Sequence, residues 1–260
     1  MTTENTHVSQ AKIAIVTGAS RGLGRNTALS LAAAGVDVIV TWLADRAQAD
    51  EVVQQIEALG RKAVALQLDA GNAASFGQFA ADVQRALKDG WARDQFDFLV
   101  NNAGSYRTAP IGQITEADFD LLCNVHFKGV LFLTQALLPL LADGGRIVNV
   151  SSGLTRFAGF GSAAYASMKG AVEVLTRYMA KEFAPRGITV NTVAPGAIET
   201  DFGGGLVRDN RELNQTIAAA TALGRVGLPD DIGPMIAALL SDANRWVTAQ
   251  RIEASGGMFL

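Results

Sequence analysis

Short apolar, β-branched runs alternate with segments of helical period along almost the whole chain. The runs fall at residues 12–17, 36–41, 63–68, 96–100, 146–150, 189–193 and 250–253. Helical periodicity occupies 22–34, 48–59, 74–88, 116–141, 163–183 and 229–240. Strands that read as continuous apolar runs need cover on both faces, and helices linking parallel strands supply it. The alternation predicts a doubly wound α/β fold with a mostly parallel seven-stranded sheet between helical layers. No repeat, low-complexity tract or linker interrupts it. Residues 11–260 therefore read as one domain, preceded by a disordered polar tail over 1–10.

Composition narrows the function classes. A chain of 260 residues can bury a full core without disulfides or a structural metal. Its formal charge of −3 gives no electrostatic reason to bind nucleic acid or an anionic membrane. The single cysteine, Cys123, sits in an apolar helical stretch and reads as a packing residue, so the fold does not depend on an oxidising compartment. No apolar run reaches membrane-spanning length without Gly or charge, and the expected location is cytoplasmic. His7 and His126 have no ligand spacing around them, so no metal site is expected. His126 reads as a helix-packing residue rather than a base.

Two local patterns carry chemistry. The first strand runs into Thr17-Gly18-Ala19-Ser20-Arg21-Gly22-Leu23-Gly24 and then a helix. Glycines there allow a tight turn and a close approach to a pyrophosphate, and the helix N-terminus offers amide donors and a positive dipole end. Far downstream, Tyr165 and Lys169 are four residues apart in a helical segment, so both side chains share one face. A nearby ammonium favours the phenolate and would lower the Tyr pKa.

The motif T-G-x-x-x-G-x-G, with Asn101-Asn102-Ala103-Gly104 after the fourth strand and Tyr-x-x-x-Lys downstream, resembles the short-chain dehydrogenase/reductase family. The resemblance runs from about residue 12 to 260 and is nearest to the ketoreductase type, including 3-oxoacyl carrier-protein reductases. It implies a Rossmann-like three-layer sandwich and an NAD(P)-dependent oxidoreductase interconverting a ketone and a secondary alcohol. By the same resemblance Tyr165 is the general acid/base. Lys169 binds the nicotinamide ribose and depresses the Tyr pKa. Ser152, thirteen residues before Tyr165, hydrogen-bonds the substrate oxygen, with Ser151 as the rival hydroxyl. Asn124 holds a water for proton relay.

Cofactor-binding roles extend to Gly18, Ser20, Arg21, Gly22, Leu23 and Gly24 in the first turn. Asp69 resembles the residue that bonds the adenine. Asn101, Ala103 and Gly104 flank the cofactor. Pro195, Gly196, Ile198 and Thr200 match the loop beside the nicotinamide. An acidic residue after the second strand would bind a ribose 2′-hydroxyl, but that position is Trp42. Arg21 can clamp a 2′-phosphate instead, so NADP(H) is preferred and NAD(H) is the alternative. Asp45 could reach the ribose but reads as a helix N-cap. Arg46 could help with the phosphate or be solvated.

Specificity is expected from the loops 105–114, 153–162 and 202–222. Gly203-Gly204-Gly205 could hinge a lid, and Phe157, Phe160 and Phe202 suggest an apolar pocket. Arg107 and Arg156 are the candidates for an anionic substrate group. A carrier-protein reductase should show basic residues before the fifth strand, but residues 140–145 contain Asp143 and no base, and Arg186 is the one basic candidate. A small free ketone or alcohol is therefore preferred over an acyl-carrier substrate. A non-catalytic NADP(H)-binding redox sensor is the reading from another class. Helices 116–141 and 163–183 are apolar over more than one face, and relatives pair them between subunits. A homotetramer is expected, with a dimer as the alternative.

Overall fold

The strands β1 (Ile13–Val16), β2 (Asp37–Trp42), β3 (Ala63–Gln67), β4 (Phe96–Asn101), β5 (Leu141–Val150), β6 (Thr189–Pro195) and β7 (Arg251–Ala254) form one seven-stranded sheet. Its order is β3-β2-β1-β4-β5-β6-β7, and every pairing is parallel. The structure is a computed structural model and describes residues 11–260. The polar 1–10 segment and His7 lie outside the described residues.

Alternate residues of the strands feed two cores, as the double helical cover requires. Ile13 and Ile15 of β1 join Ile39, Leu99 and Ile147 on one face. Ala14 and Val16 join Val38, Val40, Phe98 and Val100 on the other. Helices α1 (Gly22–Ala33) and α2 (Arg46–Ala58) cover the second face. Helix α3 (Phe76–Trp91) covers the first, through Phe76, Phe79, Val83 and Leu87. Asp45 caps α2 by accepting from the Gln48 N–H at 3.2 Å, as its sequence position suggested.

The long helix expected over 116–141 is divided. It consists of α4 (Glu116–Cys123), a π-turn at Asn124–Lys128, and α5 (Gly129–Leu137). Pro139 lies in a closing 3₁₀ turn at Leu138–Leu140, and β5 begins at Leu141 rather than 146. Phe96 pairs with Leu141 but Phe98 with Arg146, so a bulge absorbs the extra length. Gly129 marks a close crossing, since a Cβ there would stand 2.2 Å from the Ala70 carbonyl oxygen.

The sixth helix, α6 (Ala163–Phe183), carries Tyr165 and Lys169. The expected loop 202–222 is largely helical: α7 (Leu206–Asp209) and α8 (Arg211–Ala219), with Asn210 capping α8 through the Leu213 N–H at 3.0 Å. The last helix, α9 (Gly233–Leu239), starts later than expected because residues 229–231 form a 3₁₀ turn. Strand order reverses between β1 and β4, and the crevice outside their C-terminal ends is where such sheets place ligands.

Candidate active site

A cleft of about 630 Å³ opens at that reversal. Its floor is the turn after β1. Gly18 adopts φ +62°, and a Cβ there would stand 3.0 Å from Ala103 Cα. Gly24 has even less room, with an added Cβ only 2.2 Å from the Gly18 carbonyl oxygen. Thr17 binds the turn to β4, its Oγ1 accepting from the Asn102 and Ala103 N–H groups at 2.9 and 2.8 Å. Gly18, Arg21, Gly22 and Leu23 line the cleft at the start of α1. Arg21 is exposed there, and no described side chain pairs with it.

Opposite, Gly104, Ser152, Tyr165 and Lys169 line the cleft, together with Pro195, Gly196, Ile198 and Thr200 after β6. The other expected residues lie elsewhere. Ser20 lies within the turn, Gly24 packs against it from α1, and Ala103 donates its N–H to Thr17 Oγ1. Trp42 ends β2 and packs, partly buried, against the core. Asp69 accepts from the Gly71 N–H at 2.9 Å in a local turn. Asn101 is buried and donates to Asn149 Oδ1 at 2.8 Å and Thr134 Oγ1 at 3.1 Å, so it ties β4 to its neighbours. Its neighbour Asn102 lines the cleft and donates to the Thr17 carbonyl at 2.8 Å. Asn124 opens the π-turn, half-buried and outside the cleft lining, while His126 lies on it.

The two serines differ in their partners. Ser151 is buried and donates to Glu173 Oε1 at 2.7 Å. Glu173 also takes Thr155 Oγ1 at 2.7 Å and Arg251 Nε at 2.9 Å. Ser152 faces the cleft, where its Oγ accepts from the Leu154 N–H at 3.2 Å and stands within reach of the Tyr165 phenol.

Tyr165 is almost wholly buried. Burial drives its pKa upward, the Tyr106 phenol adds to that, and Ser152 opposes it. Lys169 is buried too, and burial pushes its ammonium down to about 7. The expected depression of the phenol by Lys169 is therefore not what this geometry produces. Burial disfavours both charges, and the ammonium lies 5.7 Å from the Tyr165 ring centroid. The phenol remains a protonated donor, the form that ketone reduction needs.

Tyr106 lies in the loop 105–114 expected to shape specificity, but the sequence reading did not single it out, because only the fold brings its ring to Tyr165. Its ring meets Tyr165 edge-on at 5.1 Å and Phe202 at 5.5 Å, and its hydroxyl is 2.9 Å from Ser162 Oγ. Phe157, Phe160, Leu154 and Leu206 extend this apolar wall. Gly203, Gly204 and Gly205 all take positive φ, 64–77°, where the wall turns into α7. The three arginines considered for anions are engaged. Arg107 pairs with Asp118 at 3.5 Å, Arg156 forks onto Glu253 at 2.7 and 2.8 Å, and Arg186 holds Asp143 at 2.7 Å.

The residues fit a dinucleotide. Lys169 gives one hydrogen bond, to the Val150 carbonyl at 2.6 Å, which leaves ammonium protons for ribose hydroxyls. The glycine turn is closely packed at Gly18 and Gly24, and among the described residues no side chain pairs with Arg21 at the same helix end.

Comparison with known proteins agrees with this arrangement. The family model described as enoyl-(acyl carrier protein) reductase matches residues 18–259. An uncharacterized oxidoreductase of Methylorubrum extorquens is 40% identical, covering 96% of this chain and 98% of its own. Among solved structures, LugOII is a promiscuous reductase that catalyses keto-reduction at C1 during lugdunomycin biosynthesis. It superposes with a TM-score of 0.90 at 39% identity over 96% of this chain and 98% of its own. The angucycline C-6 ketoreductase LanV, solved with bound NADP, gives 0.90 at 36% identity over 95% of each chain. The chain belongs to the short-chain dehydrogenase/reductase family.

Proposed function

We propose that the protein is an NADP(H)-dependent ketoreductase acting on free, largely apolar ketones. The observation that carries this reading is the buried, protonated Tyr165 beside Ser152 in a cleft walled by aromatic rings. Bound NADPH supplies the hydride. Tyr165 Oη gives its proton to the carbonyl oxygen as negative charge develops there, and Ser152 Oγ donates a hydrogen bond to the same atom. In alcohol oxidation the same residues run in reverse. Lys169 and the turn after β1 orient the cofactor, and Arg21 provides the fork for a 2′-phosphate. The relatives LugOII and LanV support both the ketone and the NADP preference.

Asn124 as the holder of a relay water, and Ser20, Trp42, Asp69, Asn101 and Ala103 as cofactor contacts, belong to this proposal although none of them lines the cleft. The acyl-carrier alternative is weakened because Arg186, its basic candidate, already braces Asp143 and the Leu138 carbonyl. The redox-sensor alternative does not explain why Tyr165, Ser152 and Lys169 converge in one cleft. We also propose a cytoplasmic protein that assembles with itself, as a homotetramer with a dimer as the alternative. Phe119 and Phe132 on α4 and α5, and Val174 and Tyr178 on α6, leave exposed apolar surface that a second copy would cover.

The test is cofactor oxidation followed by absorbance, with NADPH and NADH separately, against diketones, cyclic and polycyclic aromatic ketones, quinones and acyl thioesters. Turnover with NADPH on an apolar ketone is expected, and Tyr165→Phe should lose about 10²–10⁴-fold in kcat. Turnover on acyl thioesters alone would overturn the substrate class. NADPH binding without turnover on any ketone would favour the sensor.

A further inference from the structure

His126 is a buried titratable group that this chemistry leaves without a task. It lies in the π-turn at Asn124–Lys128 and is 1% exposed. Its ring stands edge-to-face on Tyr165, with centroids 5.1 Å apart and planes at 88°. Its Nε2 is 2.6 Å from the Ser105 carbonyl oxygen. Two lone pairs would repel at that distance, so the proton sits on Nε2 and is donated to Ser105. The Ser105 N–H also points at Nε2 from 3.2 Å, but the shorter contact decides the tautomer. Nδ1 is then a bare acceptor, buried and without a partner.

The neighbouring backbone accommodates this ring closely. Gly104 makes space for it, since a Cβ there would stand 2.9 Å from His126 Cε1. Burial, reinforced by the Lys169 charge, holds the imidazole at about 3, so it stays neutral through the ordinary working range. A buried acceptor with no donor costs stability, and local costs of this kind concentrate at functional sites.

We infer that His126 is a positioning residue for the proton donor of the ketone reduction. The neutral imidazole fixes the Tyr165 ring from one side. Its Nε2–H anchors Ser105, and the next residue, Tyr106, makes the second edge-on contact with Tyr165, at 5.1 Å. Both rings that hold the phenol are thereby referenced to one hydrogen bond. The π-turn serves this end, because it puts His126 rather than Asn124 on the cleft.

The inference rests on the ketoreductase reading, and its test separates the two. His126→Phe keeps a ring edge but removes the tether and the unpartnered acceptor. His126→Gln keeps an N–H for Ser105. With a ketone that the wild type reduces, His126→Phe should keep or raise Tm and leave NADPH affinity unchanged, while kcat falls about 10- to 100-fold. His126→Gln should recover part of that loss. A kcat within about twofold of wild type in both variants would overturn the inference, as would a loss matched by weaker NADPH binding. A substrate-free readout is NMR of the Tyr165 ring resonances, identified by their disappearance in Tyr165→Phe. Shifted or doubled resonances in the His126 variants support positioning, and unchanged ones refute it. If the wild type reduces no ketone, the ketoreductase reading fails and the ring resonances alone decide. If His126→Phe does not fold, His126→Gln is read by the same criteria.

Discussion

The ammonium of Lys169 donates to the Val150 carbonyl at 2.6 Å, and so hangs the catalytic helix α6 on the end of β5. The bond holds a buried charge whose pKa is pushed from 10.5 down to about 7. Between those values the unfolded chain binds this proton and the folded chain does not. Stability from this group therefore rises with pH across roughly 7 to 10.5, and is lost as pH falls toward 7.

Lys169→Met should accordingly raise Tm at pH 6 by more than at pH 10, while removing activity. Thermal melts of both proteins at the two pH values check this. An equal shift at both would mean that Lys169 is not held neutral by burial.

The same linkage applies to His126 on the acid side. Its folded value near 3 lies below the ordinary 6.5, so protons bind the unfolded chain preferentially in that interval. Stability should fall as pH drops from about 6.5 toward 3, and His126→Phe should flatten that part of the curve. Urea midpoints across this range measure it.

Ser151 and Ser152 are adjacent but should separate cleanly. Ser152→Ala removes a donor to the reacting oxygen and should lower kcat by about 10²–10³-fold with little change in Tm. Ser151→Ala removes the bond to Glu173, costing about 1 kcal/mol of stability with kcat nearly unchanged. Steady-state kinetics paired with denaturant titrations distinguish them.

Arg21→Ala should weaken NADPH by about 10- to 100-fold, the worth of one charge-assisted contact, and leave NADH almost unaffected. Calorimetric titration with each cofactor is the measurement. Equal weakening of both would place the 2′-phosphate elsewhere.

Gly24→Ala puts a Cβ 2.2 Å from the Gly18 carbonyl oxygen and 2.5 Å from Asn102 Nδ2. The turn must shift, costing about 1–3 kcal/mol. NADPH affinity should fall with it, whereas Gly77→Ala, where the new Cβ meets nothing within 4 Å beyond its own stretch of helix, should leave both unchanged.

Much of this protein was legible in its residues. The alternating apolar runs pointed to seven strands in a mostly parallel sheet, because strands buried on both faces need helical cover, while the strand order came only with the fold. The glycine turn and the Tyr165–Lys169 pair were readable because their chemistry rests on spacing within one element. The interruption of the 116–141 helix was not, since neither its π-turn nor the close crossing of Gly129 with Ala70 beside it is recorded in local periodicity. Tertiary structure alone decided that Asn101 ties strands while Asn102 faces the cleft, and that Arg156 and Arg186 are braces. It also placed Tyr106 and His126 against Tyr165, residues separated by 59 and 39 positions in sequence (165 − 106 and 165 − 126). Periodicity records which face a side chain occupies, but contacts between distant segments and the burial that shifts a pKa exist only once the chain has closed on itself.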